Sequence, residues 1–219
     1  DEQNRFITDA SHEFKTPLTA LKSSMEVFLR NPKSTIKEAR ELFVDSVKDV
    51  DNLNQLSGSL MQLTQYQKPA QNTKMEQVPL DEIINLSIKK VSALSKQKSI
   101  KIENKVKSLV IVGNKFSLTD LFVILLDNAI KYSLDHDNVE VSSKLTDVHV
   151  QILVKDRGMG ISEKDLPHVF DRFYRADESR TKANVQGFGL GLSIAKSIVR
   201  SHHGTITVES QLQKGTTVT

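Results

Sequence analysis

The apolar residues of the first thirty positions recur at helical spacing. Four of them lie seven residues apart and two more follow at intervals of four, the seam of a packed amphipathic helix: Ile7, Phe14, Leu18, Leu21, Met25 and Phe28. The pattern predicts a helix over residues 1 to 30. Asn31-Pro32 then predicts a turn, because the residue before a proline is pushed out of the helical region.

A second helix is predicted after that turn. Ser34 or Thr35 can cap it, and Glu38 lies in its first turn, where an acidic side chain is favourable. Its apolar positions are three or four residues apart and stop before Lys68-Pro69: Phe43, Val47, Val50, Leu53, Leu56, Leu60 and Leu63. A hairpin with one apolar stripe on each arm buries both stripes in a homodimeric four-helix bundle. An ordinary coiled-coil linker remains an alternative, since periodicity does not separate the two.

His12 lies on the flank of the first helix rather than in its seam. At about 100° per residue, its side chain is roughly 120° from the middle of the apolar stripe. Thr16 falls on nearly the same face, and Glu13 is turned about 100° away. Pro17 removes one backbone donor and is expected to kink the helix one turn after His12. The pattern therefore predicts an exposed histidine, which by itself is also compatible with an ordinary surface residue.

The rest of the chain alternates between helical and strand patterns. The segment after Pro69 begins as a polar linker over residues 71–77 and continues with helices near 79–96, 115–133, 163–172 and 191–201. Short alternating strands are predicted at 100–106, 108–113, 138–156 (two strands) and 204–210. This order indicates an α+β sandwich with helices on one face of a mixed sheet. We expect two domains, residues 1–68 and 69–219.

Composition narrows the function classes. The net charge is +3 from 30 basic and 27 acidic residues, and no basic stripe is interleaved with aromatic residues, so nucleic-acid binding has little support. The chain has no cysteine, which excludes disulfides and thiolate chemistry. The longest apolar run, residues 121–126, is too short to cross a bilayer, and no leader is visible at the start. We expect a soluble portion cut from a longer protein, and the lack of cysteine suits a reducing compartment such as the cytoplasm.

Five of the nine glycines lie in two clusters, D-R-G-M-G at residues 156–160 and G-F-G-L-G at 187–191. Glycine lets backbone amides approach an anion closely, and the second cluster runs into a helix N-terminus, which favours phosphate. Either cluster alone is as compatible with ordinary turns. Neither is a P-loop, and G-F-G-L-G does not follow a strand as a dinucleotide-binding fingerprint does.

The order of several motifs is more specific than any one of them. The chain contains H-E-F-K-T-P, L-L-D-N-A-I-K-Y-S, D-R-G-M-G, V-F-D-R-F-Y-R, G-F-G-L-G-L and K-G-T-T in that sequence. Together they resemble the phosphoacceptor box and the N, G1, F, G2 and G3 boxes of sensor histidine kinases of two-component systems. The resemblance covers nearly the whole chain. It implies a dimeric phosphotransfer hairpin followed by a catalytic domain of the histidine kinase, Hsp90 and gyrase ATPase type, with ATP and Mg²⁺ as cofactors.

The resemblance also implies roles for individual catalytic residues. His12 would be the phosphorylated residue, with Glu13 orienting its ring and accepting the proton from the other ring nitrogen. Lys131 and Arg175 would offset phosphate charge. Thr16 would position water for dephosphorylation of the partner, which the resemblance identifies as the receiver domain of a response regulator.

The nucleotide-binding residues implied by the resemblance lie in the second domain. Asn128 would ligate Mg²⁺ through its amide oxygen, and Asp156 would accept a hydrogen bond from the adenine amino group. The remaining positions would surround the base, the ribose, the phosphates and a polar lid at 176–186: Lys131, Tyr132, Gly158, Gly160, Gly187, Gly189, Leu190, Gly191 and Thr216. The parent protein is expected in the cell membrane, through segments outside this chain.

One position departs from the hydrolytic relatives. They carry a glutamate four residues before the magnesium asparagine, whereas this chain has Ile124. Isoleucine cannot act as a general base, so direct ATP hydrolysis is expected to be poor, and the details of Mg²⁺ coordination are left open. A gyrase-type ATPase would require an acid at this position. A non-enzymatic scaffold would be favoured by degraded nucleotide motifs, and the asparagine, aspartate and glycine boxes are intact.

Overall fold

A computed structural model describes residues 2–67, 74–146, 149–176 and 187–219. Its residues cluster into two compact units, 1–62 and 63–219, and each is described by itself. None of the helices within the described ranges is long and apolar enough to span a bilayer.

The first unit is built from a helical hairpin, as predicted. Helix α1 covers Glu2–Arg30 and helix α2 covers Ile36–Gln67. Thr35 and Glu38 form the predicted cap of α2: the Thr35 amide donates to Glu38 Oε2 at 2.7 Å, and the Glu38 amide donates to Thr35 Oγ1 at 3.3 Å. This reciprocal capping box satisfies two amides that the helix itself leaves unpaired.

The apolar stripe of the hairpin remains exposed in the single chain. Phe43 is 65% exposed and Val47 60%, and Ile7 in α1 is 57% exposed. Leu56 in α2, by contrast, is fully buried. Large apolar side chains at regular spacing on a helix surface are unfavourable in water, so this stripe is the natural place for a partner surface.

Besides the end of α2, the second unit contains three α-helices and seven strands among its described residues. The helices are α3 (Leu80–Gln97), α4 (Lys115–Tyr132) and α5 (Gly191–Ser201). The strands are β1 (Glu76–Pro79), β2 (Lys101–Lys105), β3 (Val110–Gly113), β4 (Asn138–Leu145), β5 (Val150–Lys155), β6 (Val208–Gln211) and β7 (Gly215–Val218). A single turn of 3-10 helix covers Leu166–His168.

The strands form a large mixed sheet and a separate small one. The large sheet has the order β2-β4-β5-β7-β6, in which only the β2–β4 pair is parallel, and β1 pairs antiparallel with β3. Helix α4 packs against both α3 and α5 and contacts β4 and β5, while α3 contacts β2. Their interface contains fully buried residues such as Ile84, Leu126, Ile130, Val139 and Ile198. The predicted α+β sandwich is confirmed.

Three local predictions differ from the structure. Residues 76–79 form β1, because their backbone pairs with β3, although 76 and 77 were predicted as the end of a linker and Pro79 as the start of a helix. The helix predicted at 163–172 is reduced to one 3-10 turn. The last strand predicted at 204–210 is instead a β6–β7 hairpin with Ser210 opposite Thr216. Residues 71–73 of the linker and 177–186 of the predicted lid lie outside the described residues.

The end of α2 belongs to the second unit. The Tyr66 hydroxyl donates a hydrogen bond to Asp120 Oδ2 in α4 at 2.9 Å, and burial together with this carboxylate raises the pKa of Tyr66. Lys90 of α3 lies 3.7 Å from the other Asp120 oxygen. The compact units therefore divide inside α2, whereas the boundary at residue 68 stays a prediction.

Candidate functional site

A cavity of about 570 Å³ lies in the second unit between α4, the sheet and the segments around residues 156–176. Its volume falls in the range of small-molecule sites. One wall is apolar and comes from separate elements: Leu125, Val154, Ile161, Val169, Leu192, Val208 and Val218. The polar residues that line it include Asn128, Tyr132, Asp156, Arg175 and Thr216. Gly160 lines the cavity as well. With these five polar residues it makes six that were predicted to contact the nucleotide or its phosphates.

Asp156 is the buried carboxylate of this cavity, with 7% of its surface exposed. It follows the end of β5, and its Oδ1 accepts the Gly158 amide at 2.8 Å and the Thr216 amide at 3.1 Å. Its Oδ2 accepts no hydrogen bond from the described residues. Burial raises the pKa of Asp156, while the two backbone amides lower it. The carboxylate is therefore fixed in orientation and keeps one acceptor for a ligand donor.

The D-R-G-M-G turn needs its glycines for two different reasons. A Cβ on Gly158 would lie 2.1 Å from the Tyr132 carbonyl oxygen, so only glycine permits this approach to the end of α4. Gly160 has φ +68°, the left-handed region that glycine adopts without penalty. Its Cβ would also lie 2.0 Å from the Gln211 carbonyl oxygen. The two glycines hold the turn between α4 and the β6–β7 hairpin.

Helix α4 presents Asn128 to the cavity, and hydrogen bonds from outside the helix stabilise both of its ends. At its start, Asn114 accepts the Ser117 amide at 3.0 Å. At its end, the Lys98 ammonium donates to three carbonyls, those of Ile130, Lys131 and Ser133, at 3.0, 3.0 and 2.6 Å. A cation is favourable there because the last carbonyls of a helix carry a partial negative charge.

The Asn128 side chain fits the predicted metal ligand. It is half-buried, lines the cavity, and makes no hydrogen bond to the residues that the structure describes. An amide oxygen is a hard ligand of the kind that Mg²⁺ accepts, and Mg²⁺ commonly takes one or two protein ligands and completes its shell with phosphate and water. Among the described residues, no group of three or more acidic, histidine or cysteine side chains is arranged to hold a metal ion.

Ile124 lies one turn before Asn128 and packs against the start of α5. Its Cγ2 is 3.3 Å from the point that a Cβ on Gly191 would occupy. The Asn128 amide lies 3.7 Å from the same point. The position that would hold a hydrolytic acid is therefore an apolar contact between α4 and α5.

Lys131 and Tyr132 differ in their surroundings. Lys131 is paired with Asp127 at 2.6 Å and does not line the cavity, so its phosphate contact stays a prediction that would require this pair to open. Tyr132 lines the cavity, and burial raises its pKa while the nearby charge of Arg175 acts in the opposite direction. Arg175 itself lines the cavity.

The G-F-G-L-G segment runs into α5, as predicted. Gly187 is exposed, Leu190 is 2% exposed and Gly191 begins the helix. The chain at Gly189 passes close to the Tyr174 carbonyl, because a Cβ there would lie 2.5 Å from that oxygen. None of these four residues lines the cavity, so their contact with nucleotide stays a prediction.

His12, Glu13 and Thr16 lie on α1 in the first unit, and all three are exposed. The expected display of His12 is confirmed by its exposure. The Thr16 hydroxyl donates to the His12 carbonyl at 3.2 Å, one turn back along the helix. Helix α1 continues through Pro17.

Sequence reasoning missed a hydroxyl and carboxylate cluster at the cavity. Asp165, 7% exposed, accepts from Tyr174 at 2.7 Å and from Ser162 at 2.6 Å, and all three line the cavity. The S-x-x-D spacing of Ser162 and Asp165 is a local turn signal. Nothing in the sequence pairs Tyr174 with Asp165. The apolar wall was also missed, except that Leu125 lies one helical turn before Asn128.

Comparison with protein-family models gives two matches. Residues 2–69 match the His Kinase A (phospho-acceptor) domain. Residues 113–219 match the histidine kinase-, DNA gyrase B- and HSP90-like ATPase. Together the two models cover most of the chain, in the order expected from the motifs.

Individual relatives agree with these matches. The chain is 35% identical over 217 residues to the sensor protein CiaH of Streptococcus pneumoniae. The aligned region covers 98% of this chain and 48% of CiaH. The chain thus spans about half the length of the curated relatives it matches. Among solved structures, the Acinetobacter baumannii histidine kinase AdeS aligns with a TM-score of 0.74 and 22% identity over 94% of this chain and 95% of that one. The histidine kinase ThkA, solved in complex with the response regulator protein TrrA, aligns with a TM-score of 0.72 and 17% identity over 98% of this chain and 59% of that one.

Proposed function

The chain belongs to the two-component sensor histidine kinases, and we propose that it is the kinase core that transfers the γ-phosphoryl group of ATP to His12 and then to an aspartate of a response regulator. The observation that carries the proposal is the cavity around Asp156, in a chain that also exposes His12 on a hairpin helix. A buried carboxylate whose one oxygen is held by two amides, and whose other oxygen accepts no hydrogen bond from the described residues, suits the amino group of adenine.

In the phosphoryl transfer, a ring nitrogen of His12 attacks the γ-phosphorus and the bond to the bridging oxygen breaks, so that ADP leaves. Glu13 orients the ring and takes the proton from its other nitrogen. Asn128 would hold Mg²⁺, which neutralises charge on the phosphates. Arg175 and Lys131 add positive charge near the same oxygens, Lys131 after separating from Asp127.

The same helix face serves the proposed second activity. Thr16 lies one turn beyond His12 and would position water against the acyl phosphate of the regulator, which gives a phosphatase in the opposite signalling state. Ile124 offers no base to activate water at the ATP site, so ATP is directed to His12 rather than to hydrolysis.

We further propose that two hairpins associate as a homodimeric four-helix bundle. The exposed stripe that includes Phe43, Val47 and Val50 supports this partner surface, because its burial gives about 25 cal/mol for each Å² of apolar area. Segments outside this chain would carry the sensor and place the parent protein in the membrane, with this part in the cytoplasm.

The test is incubation with γ-labelled ATP and Mg²⁺, comparing the unchanged protein with His12→Gln. Retained label that requires His12, is lost in acid and is stable in alkali identifies a phosphohistidine at this position. His149→Gln is the matched control, because His149 is also exposed but lies in the β4–β5 loop. Absence of label in a protein that still binds ATP would contradict the kinase proposal, and label that persists in His12→Gln would contradict the acceptor.

A further inference from the structure

Ser210 lies beside the cavity and takes part in three hydrogen bonds through its hydroxyl. It is in β6, directly opposite Thr216 of β7. Its Oγ accepts the Ile161 amide at 2.8 Å, contacts the Gly215 carbonyl oxygen at 2.9 Å and contacts Thr216 Oγ1 at 2.9 Å. The hydroxyl therefore joins the glycine turn after Asp156 to the strand that carries Thr216.

The protons of these groups can be placed by elimination. A carbonyl oxygen has no proton to donate, so the Ser210 hydroxyl must donate to Gly215. Ser210 has only that one proton, so the contact with Thr216 is a hydrogen bond only if the Thr216 hydroxyl is its donor. This arrangement gives Ser210 one donated and two accepted bonds, which is the full capacity of a hydroxyl. Thr216 has then used its only proton and presents lone pairs alone to the cavity that it lines.

We propose that Ser210 is a specificity-determining residue, which makes the Thr216 hydroxyl an acceptor and so favours a purine with an amino group at position 6 over one with a carbonyl. The inference rests on the proposed function, because it takes the purine of the nucleotide to bind beside Asp156 and Thr216. Thr216 is tied to Asp156 as well, through its amide to Oδ1 at 3.1 Å. The ligand would thus meet two acceptors, Asp156 Oδ2 and Thr216 Oγ1, and no donor from this pair.

Loss of the Ser210 hydroxyl would release the Thr216 proton for a bond to the ligand, although Ser210 itself does not line the cavity. The freed Thr216 hydroxyl can rotate and donate to a carbonyl at position 6. Inosine triphosphate is the sharpest probe, because it has that carbonyl but lacks the additional amine of guanine. Its affinity should rise relative to that of ATP, while the acceptor Asp156 still favours ATP.

The experiment compares Ser210→Ala with Ser143→Ala in competition titrations of ATP and inosine triphosphate with Mg²⁺. Ser143 is the matched control: it is half-buried in β4 of the same sheet, its hydroxyl accepts a backbone amide at 2.9 Å, and it does not line the cavity. The ratio of the two affinities should fall about five-fold in Ser210→Ala, the effect of one neutral hydrogen bond. It should stay unchanged in Ser143→Ala.

A double-mutant cycle separates specificity from structural support. In a Thr216→Val background there is no hydroxyl to orient. There Ser210→Ala should still lower the melting temperature, through its lost bonds to Ile161 and Gly215, but should leave the affinity ratio unchanged. The inference is overturned if Ser210→Ala leaves the affinity ratio unaltered in the protein that keeps Thr216. It is also overturned if the ratio falls equally with Thr216 and with Thr216→Val. If Ser210→Ala does not fold, Ser210→Cys replaces it, because a thiol is of similar size and only a weak acceptor. Failure of the unchanged protein to bind either nucleotide would instead refute the proposed function.

Discussion

Replacement of Asp156 by asparagine should reverse the purine preference of the cavity. The side chain keeps its size, and its oxygen is still required by the Gly158 and Thr216 amides, which lie 2.8 and 3.1 Å from Oδ1. Only the amide nitrogen can then occupy the position of Oδ2. The cavity would present a donor where it now presents an acceptor.

The size of the effect follows from the bonds exchanged. A hydrogen bond to a charged group contributes about 1.5 to 3 kcal/mol, so its loss should weaken ATP binding by about 10- to 150-fold. A new neutral bond to the carbonyl of inosine triphosphate contributes about 0.5 to 1.5 kcal/mol. The preference for ATP should therefore change by about 2 to 4.5 kcal/mol, or roughly 30- to 2,000-fold.

Asp156→Asn should weaken ATP binding without lowering the stability of the nucleotide-free protein. Burial raises the pKa of Asp156, so the native state disfavours its charged form. The resulting cost in stability is absent below the unfolded-state pKa and fully present above the folded-state pKa. Asp156→Asn removes this cost, and above the folded-state pKa the melting temperature of the nucleotide-free protein should be equal or higher.

The assay is equilibrium titration of both nucleotides in a His12→Gln background, which prevents turnover. Asp137→Asn is the matched control, because the Asp137 charge is close enough to raise the pKa of Asp156 while its side chain does not line the cavity. Asp137→Asn should keep the preference for ATP. Unchanged affinities for both nucleotides in Asp156→Asn would refute the assignment of Oδ2 to the base.

Four further results are expected. Asn128→Ala should weaken nucleotide binding about ten-fold or more in Mg²⁺ and much less in excess chelator; an equal loss in both would contradict a metal ligand. Thr16→Ala should spare autophosphorylation and slow dephosphorylation of the regulator, and equal loss of both activities would show that its role is different. Lys98→Met should lower the free energy of unfolding by about 1 to 2 kcal/mol, because three carbonyls at the end of α4 lose their donor. Lys96→Met, in the exposed last turn of α3, should cost less, because Lys96 does not bond these carbonyls; chemical denaturation measures both. ATP affinity should decline as pH falls through the raised pKa of Asp156, beginning at a higher pH than for an ordinary aspartate; a pH-independent affinity in this range would show that the ionised carboxylate is not required.

Local features of the chain were predictable without a fold. The heptad spacing of α1, the Thr35–Glu38 cap and the exposure of His12 each depend on residues within one or two helical turns. Helical geometry alone relates such residues, so their spacing is sufficient. The order of the short motifs likewise indicated the family before any contact was known.

Tertiary structure, by contrast, determined which residues meet at the cavity. Asp156 and Thr216 are sixty residues apart, and they meet because β5 pairs with β7. Ser210 reaches Thr216 through the register of the β6–β7 hairpin, where a shift of one residue would turn its hydroxyl to the other face. Lys131 shows the opposite case, since its position matched a motif while its ammonium is paired with Asp127. Sequence spacing determines which residues share a face of one element, but strand order and register determine which faces meet, and those depend on the packing of the whole domain.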